Sequence, residues 1–317
     1  MKVVDIIAKS DRTLISFEII PPQRGGDIKG LLHTIETVAG YNPPFIDITS
    51  HSAEVFYNET PKGIQKKILR KRPGTLGICA LIQNKYNIEA VPHVLARNFT
   101  REETEDFLIE LNYLGIENVL AIQGDNKGYN KPIPQGRTTN IYASDLVSQI
   151  MDMNHGTYLE EDLLDAKPTG FCVGVSGYPE KHFEAPSIRT DMQYTKAKID
   201  AGAEYIVTQM FFDNKVYFEY AENLRALGIT APIIPGLKIL SHPHHLTNLP
   251  KNFFISLPDD LVQEVREAKN NEHVLEIGIE HTLKQVEGLL NANVPCIHFY
   301  IMQSSKAIRM LMERLKL

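Results

Sequence analysis

Short runs of apolar and β-branched residues alternate along the chain with longer segments whose apolar residues recur at helical spacing. This alternation is typical of βα units arranged around a parallel sheet. Eight predicted strands with helices between them indicate an α/β fold, a closed (βα)8 TIM barrel, over residues 1–317 as a single domain. The predicted strands are Leu14–Ile20, Phe45–Ser50, Ile88–Leu95, Asn118–Gly124, Cys172–Tyr178, Tyr205–Phe211, Pro232–Leu237 and Cys296–Met302.

The segments between these strands are predicted to be helices. Their approximate ranges are 27–40, 58–71, 101–114, 143–153, 187–201, 214–227, 272–291 and 304–316. The run at 75–83 is too short for its period to separate strand from helix, and we interpret it as a helix before the third strand.

Two stretches interrupt this rhythm, at 126–140 and 155–170. The first follows a strand, so in a barrel it lies at the catalytic face, as a lid or as a disordered surface loop. The second precedes a strand and is predicted to lie at the opposite face.

The first predicted strand carries one carboxylate, Glu18, and ends at Pro21-Pro22. Side chains of a strand alternate between its faces, so Ser16 and Glu18 share one face and the apolar residues beside them share the other. A polar inner face and an apolar outer face indicate the mouth of a barrel. Glu18 is therefore the leading candidate for a catalytic acid, and a buried structural ion pair is the alternative.

Polar residues occur near the ends of several other predicted strands. Because barrel active sites form at the carboxyl ends of the strands, these residues are expected to converge on one rim. Such a convergence favours a binding site over isolated polar groups of the core. The residues are Glu18, Asp47, Thr49, His51, His93, Gln123, Asp125, Ser176, Tyr178, Gln209, His298 and Tyr300.

Several kinds of site are not expected. No Gly-x-Gly-x-x-Gly or Walker phosphate loop opens a helix, and no Gly-x-Ser-x-Gly elbow is present. His242, His244 and His245 are close in sequence, but Pro243 breaks helical spacing and no carboxylate lies near them, so metal ligation is not expected. The polar set suits an organic cofactor. The residues alone indicate a barrel enzyme and leave its dependence on a cofactor open.

Composition narrows the choice of partner and compartment. The net charge is −6, and the basic cluster at 66–72 is short, so a nucleic acid is not expected. The three cysteines Cys79, Cys172 and Cys296 have no paired spacing, which argues against disulfides and favours a reducing compartment. No apolar run reaches membrane-spanning length, so no membrane partner is expected. A cytoplasmic location is predicted.

Nine motifs follow one another in a fixed order from about residue 14 to the end of the chain. They are Ser16-Phe17-Glu18 with Pro21-Pro22, Pro92-His93, Gly124-Asp125, Tyr142-Ala143-Ser144-Asp145, Gly177-Tyr178-Pro179-Glu180, Asp200-Ala201-Gly202-Ala203, Thr208-Gln209-Met210-Phe211-Phe212-Asp213, Ile234-Pro235-Gly236 and His298-Phe299-Tyr300. Each motif is weak, but their ordered combination resembles the methylenetetrahydrofolate reductase family of the bacterial, single-domain type.

This resemblance implies a flavoprotein oxidoreductase with FAD as its bound cofactor. Such an enzyme reduces 5,10-methylenetetrahydrofolate to 5-methyltetrahydrofolate with NADH or NADPH, by ping-pong hydride transfer through flavin N5. The reaction belongs to one-carbon metabolism and supplies methionine biosynthesis. Members of the family often form dimers or tetramers, so the implied partners are a folate, a nicotinamide dinucleotide and further copies of the chain.

The resemblance also implies roles for individual residues. Glu18 matches the general acid, Asp125 matches an aspartate near flavin and pterin, and Gln209 matches a glutamine that contacts folate and nicotinamide. Catalytic roles are therefore implied for Glu18 and Asp125, and substrate binding for these two and Gln209. The implied cofactor-binding residues are Thr49, His93, Gln123, Gly124, Asp125, Tyr142, Ala143, Tyr178, His182, Asp191 and Lys198.

The chain departs from the family pattern at several places, which include Tyr194, Ala197 and the segment 237–240. Gln123 stands where an arginine is common, and the segment 182–185 lacks the usual proline. The segment 302–304 lacks an arginine associated with the folate tail, and Lys238 or Lys306 is a candidate replacement. Two other interpretations stay open: a different flavin-barrel oxidoreductase of the proline-dehydrogenase kind, and a non-catalytic barrel that binds folate or pterin.

Overall fold

Parallel strands close into a barrel, as the alternation of apolar runs predicts. The computed structural model describes residues 1–125, 128–302 and 304–315. The strands are β1 (Leu14–Ile19), β2 (Phe45–Ile48), β3 (Glu54–Thr60), β4 (Gly63–Leu69), β5 (Glu89–Leu95), β6 (Asn118–Ile122), β7 (Cys172–Gly177), β8 (Tyr205–Met210), β9 (Ile233–Leu237) and β10 (Cys296–Met302). Eight of them form the barrel in the order β1-β10-β9-β8-β7-β6-β5-β2, with β2 paired to β1. The predicted fold class and all eight predicted strands are confirmed.

Helices cover the outside of the barrel. They are α1 (Val3–Lys9), α2 (Lys29–Ala39), α3 (Leu76–Tyr86), α4 (Arg101–Tyr113), α5 (Ala143–Asn154), α6 (Ile188–Asp200), α7 (Asn214–Ala226), α8 (His245–Phe253), α9 (Asp259–Arg266), α10 (Asn271–Asn291) and α11 (Lys306–Leu315). Seven of the eight predicted helical segments are confirmed, and the ambiguous run at 75–83 is helical, in α3. Within the described ranges, none of these helices is long and apolar enough to cross a membrane.

The predicted helix at 58–71 is wrong, because this segment forms the antiparallel hairpin β3–β4. Ile64 and Ile68 have helical spacing, but Pro61 between the two strands and Gly63 at the start of β4 disfavour a helix there. Gly63 has φ +114°, a backbone conformation that favours glycine. The chain therefore reverses at 61–62, and the hairpin projects from the carboxyl end of β2.

Three helices were not predicted. Val3–Lys9 is too short for a period to be recognised, and α8 and α9 lie in the long connection between β9 and α10. The start of α9 had a recognisable signal, because Pro258 precedes it and Asp259 and Asp260 occupy its first turn. Acidic residues at that position interact favourably with the amino end of a helix.

The barrel has an inner and an outer core because strand side chains alternate. Phe17 and other outward residues pack under the helices. The lower barrel interior is filled by a separate cluster that includes Phe45 and Tyr205, and Val3 of α1 packs into it from the amino end. Gly174 makes room for this filling, since a Cβ there would lie 2.3 Å from the Tyr205 ring. The lower half is thus closed by packing, and the polar side chains lie above it.

Candidate active site

Three buried titratable side chains meet at the carboxyl end of the barrel, and we call them the Glu18 cluster: Glu18 on β1, Asp47 on β2 and His93 on β5. Glu18 and Asp47 are register partners on adjacent strands. His93 Nε2 lies 3.5 Å from Glu18 Oε2 and 3.4 Å from Asp47 Oδ2. One imidazole nitrogen therefore faces two carboxyl groups.

Glu18 is inside the barrel mouth, as the alternation along its strand predicts. Burial raises the pKa of Glu18 to about 7, with His93 and Lys238 opposing the shift and Asp47 adding to it. Near neutral pH the carboxyl therefore exists in both its protonated and ionised forms. That is the condition for efficient proton donation under cellular conditions.

For His93 the neighbouring charges, and not burial, set the direction of the pKa shift. Burial lowers its pKa, but the hydrogen bond to Asp47 and the charges of Glu18 and Asp47 outweigh burial, so the pKa is raised above its usual value. The sequence comparison with the family indicated only a cofactor contact for His93. The pairing of His93 with two carboxyl groups follows from the adjacency of β1, β2 and β5 in the closed barrel.

The mouth continues from β1 through β10, β9 and β8. Tyr300 Oη donates a hydrogen bond to the Thr208 carbonyl at 2.6 Å, and Lys238 Nζ donates to the Tyr300 carbonyl at 2.8 Å. Gly236 makes this arrangement possible, because a Cβ there would lie 2.6 Å from the Tyr300 ring. Gln209 is half-buried beside them and accepts a hydrogen bond from the Met210 amide.

Lys238 is an ammonium group at the mouth of the barrel. Burial lowers the pKa of Lys238 to about 8, and the charge of Glu18 opposes that shift. Its Nζ donates to the carbonyl of Tyr300, which is the register partner of Glu18, so Glu18 and Lys238 lie on either side of β10. The mouth thus has an acid on one side and a cation on the other.

His298 lies below the Glu18 cluster and is part of the barrel floor. Its Nδ1 lies 2.8 Å from Ser16 Oγ, and its ring stacks on Phe45. Burial lowers the pKa of His298 to about 4, so the ring is neutral. The His298 ring is therefore a neutral, packed side chain beneath the Glu18 cluster.

The loop after β7 and the helix α6 bring together four predicted cofactor residues, with Asp191 in the first turn of the helix and Lys198 in its last turn. The rings of Tyr178 and His182 pack at 4.6 Å, and Asp191 Oδ2 accepts a hydrogen bond from the His182 amide at 2.9 Å. Lys198 donates to the Ser176 carbonyl, and burial lowers the pKa of Lys198 to about 8 against the charge of Asp191. The result is a buried cation and a carboxyl group beside an aromatic wall.

The remaining predicted cofactor residues lie directly after β2, after β6 and at the start of α5. Thr49 Oγ1 is buried and makes no hydrogen bond within the described residues. Gly124 has φ +86°, which favours glycine, and Asp125 after it is exposed. Gln123 is half-buried, and its carbonyl accepts a hydrogen bond from the Arg97 amide at 2.8 Å.

Tyr142 and Ala143 lie at the start of α5, and none of the hydrogen bonds described for them joins them to the other residues of the mouth. Tyr142 precedes α5 with its side chain 60% exposed, whereas Ala143 is buried. The amide of Tyr142 donates to Asp145 Oδ2 at 2.9 Å, which helps to start the helix. Their part in cofactor binding stays a prediction.

Arg97 is a residue of this rim that sequence analysis missed. It follows β5, donates from Nη1 to the Gly124 carbonyl at 3.3 Å and places Nη2 3.3 Å from Glu184. The guanidinium thereby connects the β6 turn to the loop after β7. Its position after a strand was the available signal, but its partners come from other strands.

The loop predicted at 126–140 lies beside this rim, and Asn126 and Lys127 fall outside the described residues. The amide of Lys131 donates to Asn98 Oδ1 at 2.9 Å, and its side chain pairs with Glu103. Glu103 also forms a capping box with Thr100 at the start of α4. The loop is therefore attached at the catalytic face, and a lid function for it stays a prediction.

A cavity of about 340 Å³ opens beside the mouth, between the ends of β9 and β10 and the start of α11. Apolar walls and a few cationic groups line it. The polar residues that matter here are Lys238, His242, His245, Ser304 and Lys306. Gln303, next to them in sequence, lies outside the described residues.

The rings of His242, His244 and His245 pack on one another, with centroids 4.9 to 5.5 Å apart. His245 Nδ1 accepts a hydrogen bond from the Ser241 amide at 3.2 Å. Burial, together with Lys238 and the two neighbouring histidines, lowers the pKa of His245 to about 4. In the part of the chain that the structure describes, no group of three or more histidine, cysteine or acidic residues is arranged to hold a metal ion.

Comparison with known proteins relates this chain to one family. A family model described as methylenetetrahydrofolate reductase matches residues 2–316. The chain is 27% identical over 322 residues to methylenetetrahydrofolate reductase 1 of Schizosaccharomyces pombe, a match that covers 100% of this chain and 49% of that protein. It is 26% identical over 299 residues to 5,10-methylenetetrahydrofolate reductase of Pectobacterium carotovorum, covering 93% of this chain and 87% of that protein. The chain spans about half the length of the eukaryotic relatives that it matches.

A solved structure gives independent support for the fold. An uncharacterized protein from Clostridium thermocellum that binds two copies of 5-methyl-5,6,7,8-tetrahydrofolic acid aligns with a TM-score of 0.61 at 14% identity, covering 99% of each chain. At that identity the likeness describes the barrel alone. Because the family model extends over nearly the whole sequence, the chain belongs to the methylenetetrahydrofolate reductase family.

Proposed function

We propose that this protein reduces 5,10-methylenetetrahydrofolate to 5-methyltetrahydrofolate, with FAD as cofactor and NADH or NADPH as electron donor. The observation that carries the proposal is Glu18, a buried carboxyl at the barrel mouth whose pKa burial raises to about 7. The family places its general acid at this position. A reduction of a cyclic methylene donor needs such an acid, because its ring must open before the methylene carbon can accept a hydride.

In this proposal Glu18 donates its proton to a nitrogen of the five-membered folate ring. The bond between that nitrogen and the methylene carbon breaks, its electron pair stays on the protonated nitrogen, and the carbon becomes an electrophilic iminium. Glu18 is left as a carboxylate, which His93 and Lys238 stabilise by their charge. FAD, when bound, supplies the hydride that it has received from the nicotinamide.

Several features of this chain fit a bound flavin dinucleotide. Thr49 Oγ1 is buried without a hydrogen bond within the described residues, so it has a free donor and acceptor for a ligand. Lys198 is a buried cation in the last turn of α6, with Tyr178 and His182 as an aromatic wall beside it. A buried cation suits a pyrophosphate. We propose that these residues, with His93, Gln123, Gly124, Tyr142, Ala143 and Asp191, hold FAD.

Substrate binding is proposed for Asp125, which follows β6, and for Gln209 on β8, with β7 between the two strands. Asp125 is exposed there, and its charge contributes to the raised pKa of Tyr178, so the two groups are near each other. Its carboxylate can accept hydrogen bonds from the amino and ring N–H groups of a pterin. Gln209 supplies an amide to folate or nicotinamide in turn, because both use the same site in a ping-pong reaction.

The folate tail is proposed to extend into the cavity beside the mouth. Its apolar walls suit the aromatic ring of the tail, and Lys306 at the start of α11 supplies a cation for a carboxylate. Lys238 is the less suitable partner, because it lies near Glu18 and therefore near the pterin end. Lys306→Ala is expected to raise the KM for the folate and to leave the KM for NADH unchanged.

The cellular setting follows from the same proposal. Cys79, Cys172 and Cys296 are free and buried, which supports a reducing compartment such as the cytoplasm. We propose a single catalytic domain over 1–317 and leave self-association to sedimentation measurements, which distinguish a monomer from a dimer or tetramer.

The decisive experiment is anaerobic absorbance spectroscopy of the two half-reactions. Purified protein should show a flavin spectrum that NADH or NADPH bleaches and methylenetetrahydrofolate restores. In Glu18→Gln, bleaching should persist and restoration by the folate should slow by at least about 100-fold, the low end of general acid catalysis. Normal restoration in that variant would exclude Glu18 as the acid.

The alternatives predict different spectra. A protein with no flavin and no affinity for it would favour a non-catalytic barrel that binds a pterin or folate. A flavin reduced by proline and unaffected by either nicotinamide would favour the proline-dehydrogenase kind of enzyme. Neither result would alter the assignment to the family, which rests on the whole chain.

A further inference from the structure

Asp47 is a fully buried carboxyl group that the proposed reaction does not use directly. Its side chain has no exposed surface, and it lies beside Glu18 in the register of β1 and β2. Oδ2 is 3.4 Å from His93 Nε2, and Oδ1 has no hydrogen-bond partner within the described residues. Burying a carboxylate with so few partners is costly, so a compensating interaction is required.

His93 supplies that interaction because its Nε2 faces both carboxyl groups. The distances to Asp47 and Glu18 differ by only 0.1 Å, at 3.4 and 3.5 Å. Asp47 and Glu18 form no recorded hydrogen bond with each other in the part of the chain described. A cationic ring between two carboxyl groups is therefore the arrangement that best satisfies all three.

We propose that Asp47 is a positioning residue that pairs with His93 as an imidazolium and thereby presents a cation to Glu18. This inference rests on the proposed function in so far as Glu18 is taken as the acid. Asp47 does not touch the substrate in this arrangement. It acts through His93, and its effect is on the charge and orientation of the group beside the acid.

The other groups around the cluster do not replace this cation. On β10, His298 is neutral because burial lowers its pKa to about 4, and Tyr300 donates its hydroxyl to the Thr208 carbonyl. On β9, Lys238 is engaged with the Tyr300 carbonyl and forms no ion pair within 4 Å among the described residues. β6 presents Leu120 as the register partner of His93. His93 is therefore the cation in contact with Glu18.

Removing the charge of Asp47 is expected to lower the pKa of His93 and to raise the pKa of Glu18. Without Asp47 the imidazole loses a partner that raises its pKa, so it gives up its proton at lower pH. Glu18 then loses a cation 3.5 Å away, which lowers its pKa, and also the Asp47 anion, which raises its pKa by a smaller amount. Glu18 is expected to keep its proton to higher pH in Asp47→Asn.

The primary test observes His93 directly and needs no substrate. Protein labelled with ¹⁵N-histidine is titrated with its flavin bound, and the His93 signals are assigned by their loss in His93→Gln. We expect His93 to be cationic at pH 7 in the wild type and its proton affinity to fall at least about tenfold in Asp47→Asn. The exposed Asp200→Asn serves as the control and should leave the His93 titration unchanged.

A neutral His93 ring in the wild type at pH 7 would overturn the proposal, and this measurement does not depend on the folding of any Asp47 variant. An unchanged His93 titration in a folded Asp47→Asn would also overturn it. Because both readings concern the protein without folate, they remain valid even if the chain proves to have a different activity.

A second test uses the folate half-reaction. Its rate should fall as pH rises through the pKa of Glu18, and in Asp47→Asn the midpoint of that fall should move up by about one pH unit. The half-reaction with NADH should keep its pH profile, because it does not use the acid. A purely structural role for Asp47 would lower the yield or stability of the protein and leave the midpoint in place, contrary to the proposal.

Discussion

At the scale of single residues, the position of Glu18 and its candidacy as an acid were predictable, and the set of charged groups around it was not. Alternation along β1 directs Ser16 and Glu18 inward, and the structure has both inside the barrel. The raised pKa of Glu18 depends on burial and on charges from β2, β5 and β9. Those strands are distant in sequence, so no local pattern indicates how they combine.

The pH dependence of stability follows from the raised pKa of Glu18. In the folded protein the carboxyl keeps its proton up to about pH 7, whereas the unfolded chain releases it near the ordinary glutamate pKa of 4.5. The folded state thus binds more protons over this interval, so the contribution of Glu18 to stability is greatest below pH 4.5 and is lost as pH rises through 7. The loss amounts to about 3 kcal/mol.

Glu18→Gln removes this ionisation, so its free energy of unfolding relative to the wild type should increase between pH 4.5 and pH 7. Urea unfolding at pH 4.5 and pH 8 measures the difference at each end of the interval. If the variant and the wild type differ by the same amount at both pH values, Glu18 does not have a raised pKa in the folded protein.

At the scale of elements, the spacing of apolar residues and the length of apolar runs predicted the barrel strands but gave the wrong structure for the β3–β4 hairpin. Ile64 and Ile68 have the spacing of apolar residues on a helix, but Pro61 and Gly63 indicate a reversal of the chain. The strands β3 and β4 bond to each other and not to the barrel. A two-stranded sheet of this kind is only marginally stable by itself in water, so its turn is important.

Gly63→Ala is expected to destabilise the hairpin, because φ +114° is strained for any residue with a Cβ. The local cost should be about 1 to 3 kcal/mol. Hydrogen exchange of the β3 and β4 amides should accelerate, while exchange in the barrel strands stays unchanged. Gly74→Ala is the matched control, since a Cβ there meets nothing within 4 Å. Equal exchange in both variants would show that the turn does not limit hairpin stability.

At the scale of the whole molecule, the carboxyl end of the barrel holds the proposed site and the amino end contributes to stability. The carboxyl end carries the Glu18 cluster and the proposed cofactor residues. The amino end is closed by α1, whose Val3 amide donates to Asn118 Oδ1 at 2.8 Å while Asn118 Nδ2 donates to the Met1 carbonyl at 2.9 Å. Stability and chemistry are therefore expected to respond to different substitutions.

Asn118→Ala tests this separation. It removes both bonds to the amino-terminal segment and leaves the buried Val3 amide without its acceptor, at a cost of about 1 to 3 kcal/mol. The free energy of unfolding should fall by that amount, with flavin content and the NADH half-reaction unchanged. Asp5→Ala on the exposed side of α1 is the control and should have little effect. A loss of flavin at unchanged stability would contradict the separation of the two ends.

The sequence by itself determined the barrel strands, most of the helices and the fold class, because strand alternation, helical period and ordered motifs are local properties of the chain. It also placed Glu18, Asp125 and Gln209 at strand ends, where barrel chemistry is concentrated. Only the tertiary structure decided which charges face one another. The pairing of His93 with Asp47 and Glu18, and of Arg97 with the Gly124 carbonyl, depends on barrel closure and on strand register. Electrostatic energies depend on distances in space, and burial and register set those distances after the chain has folded.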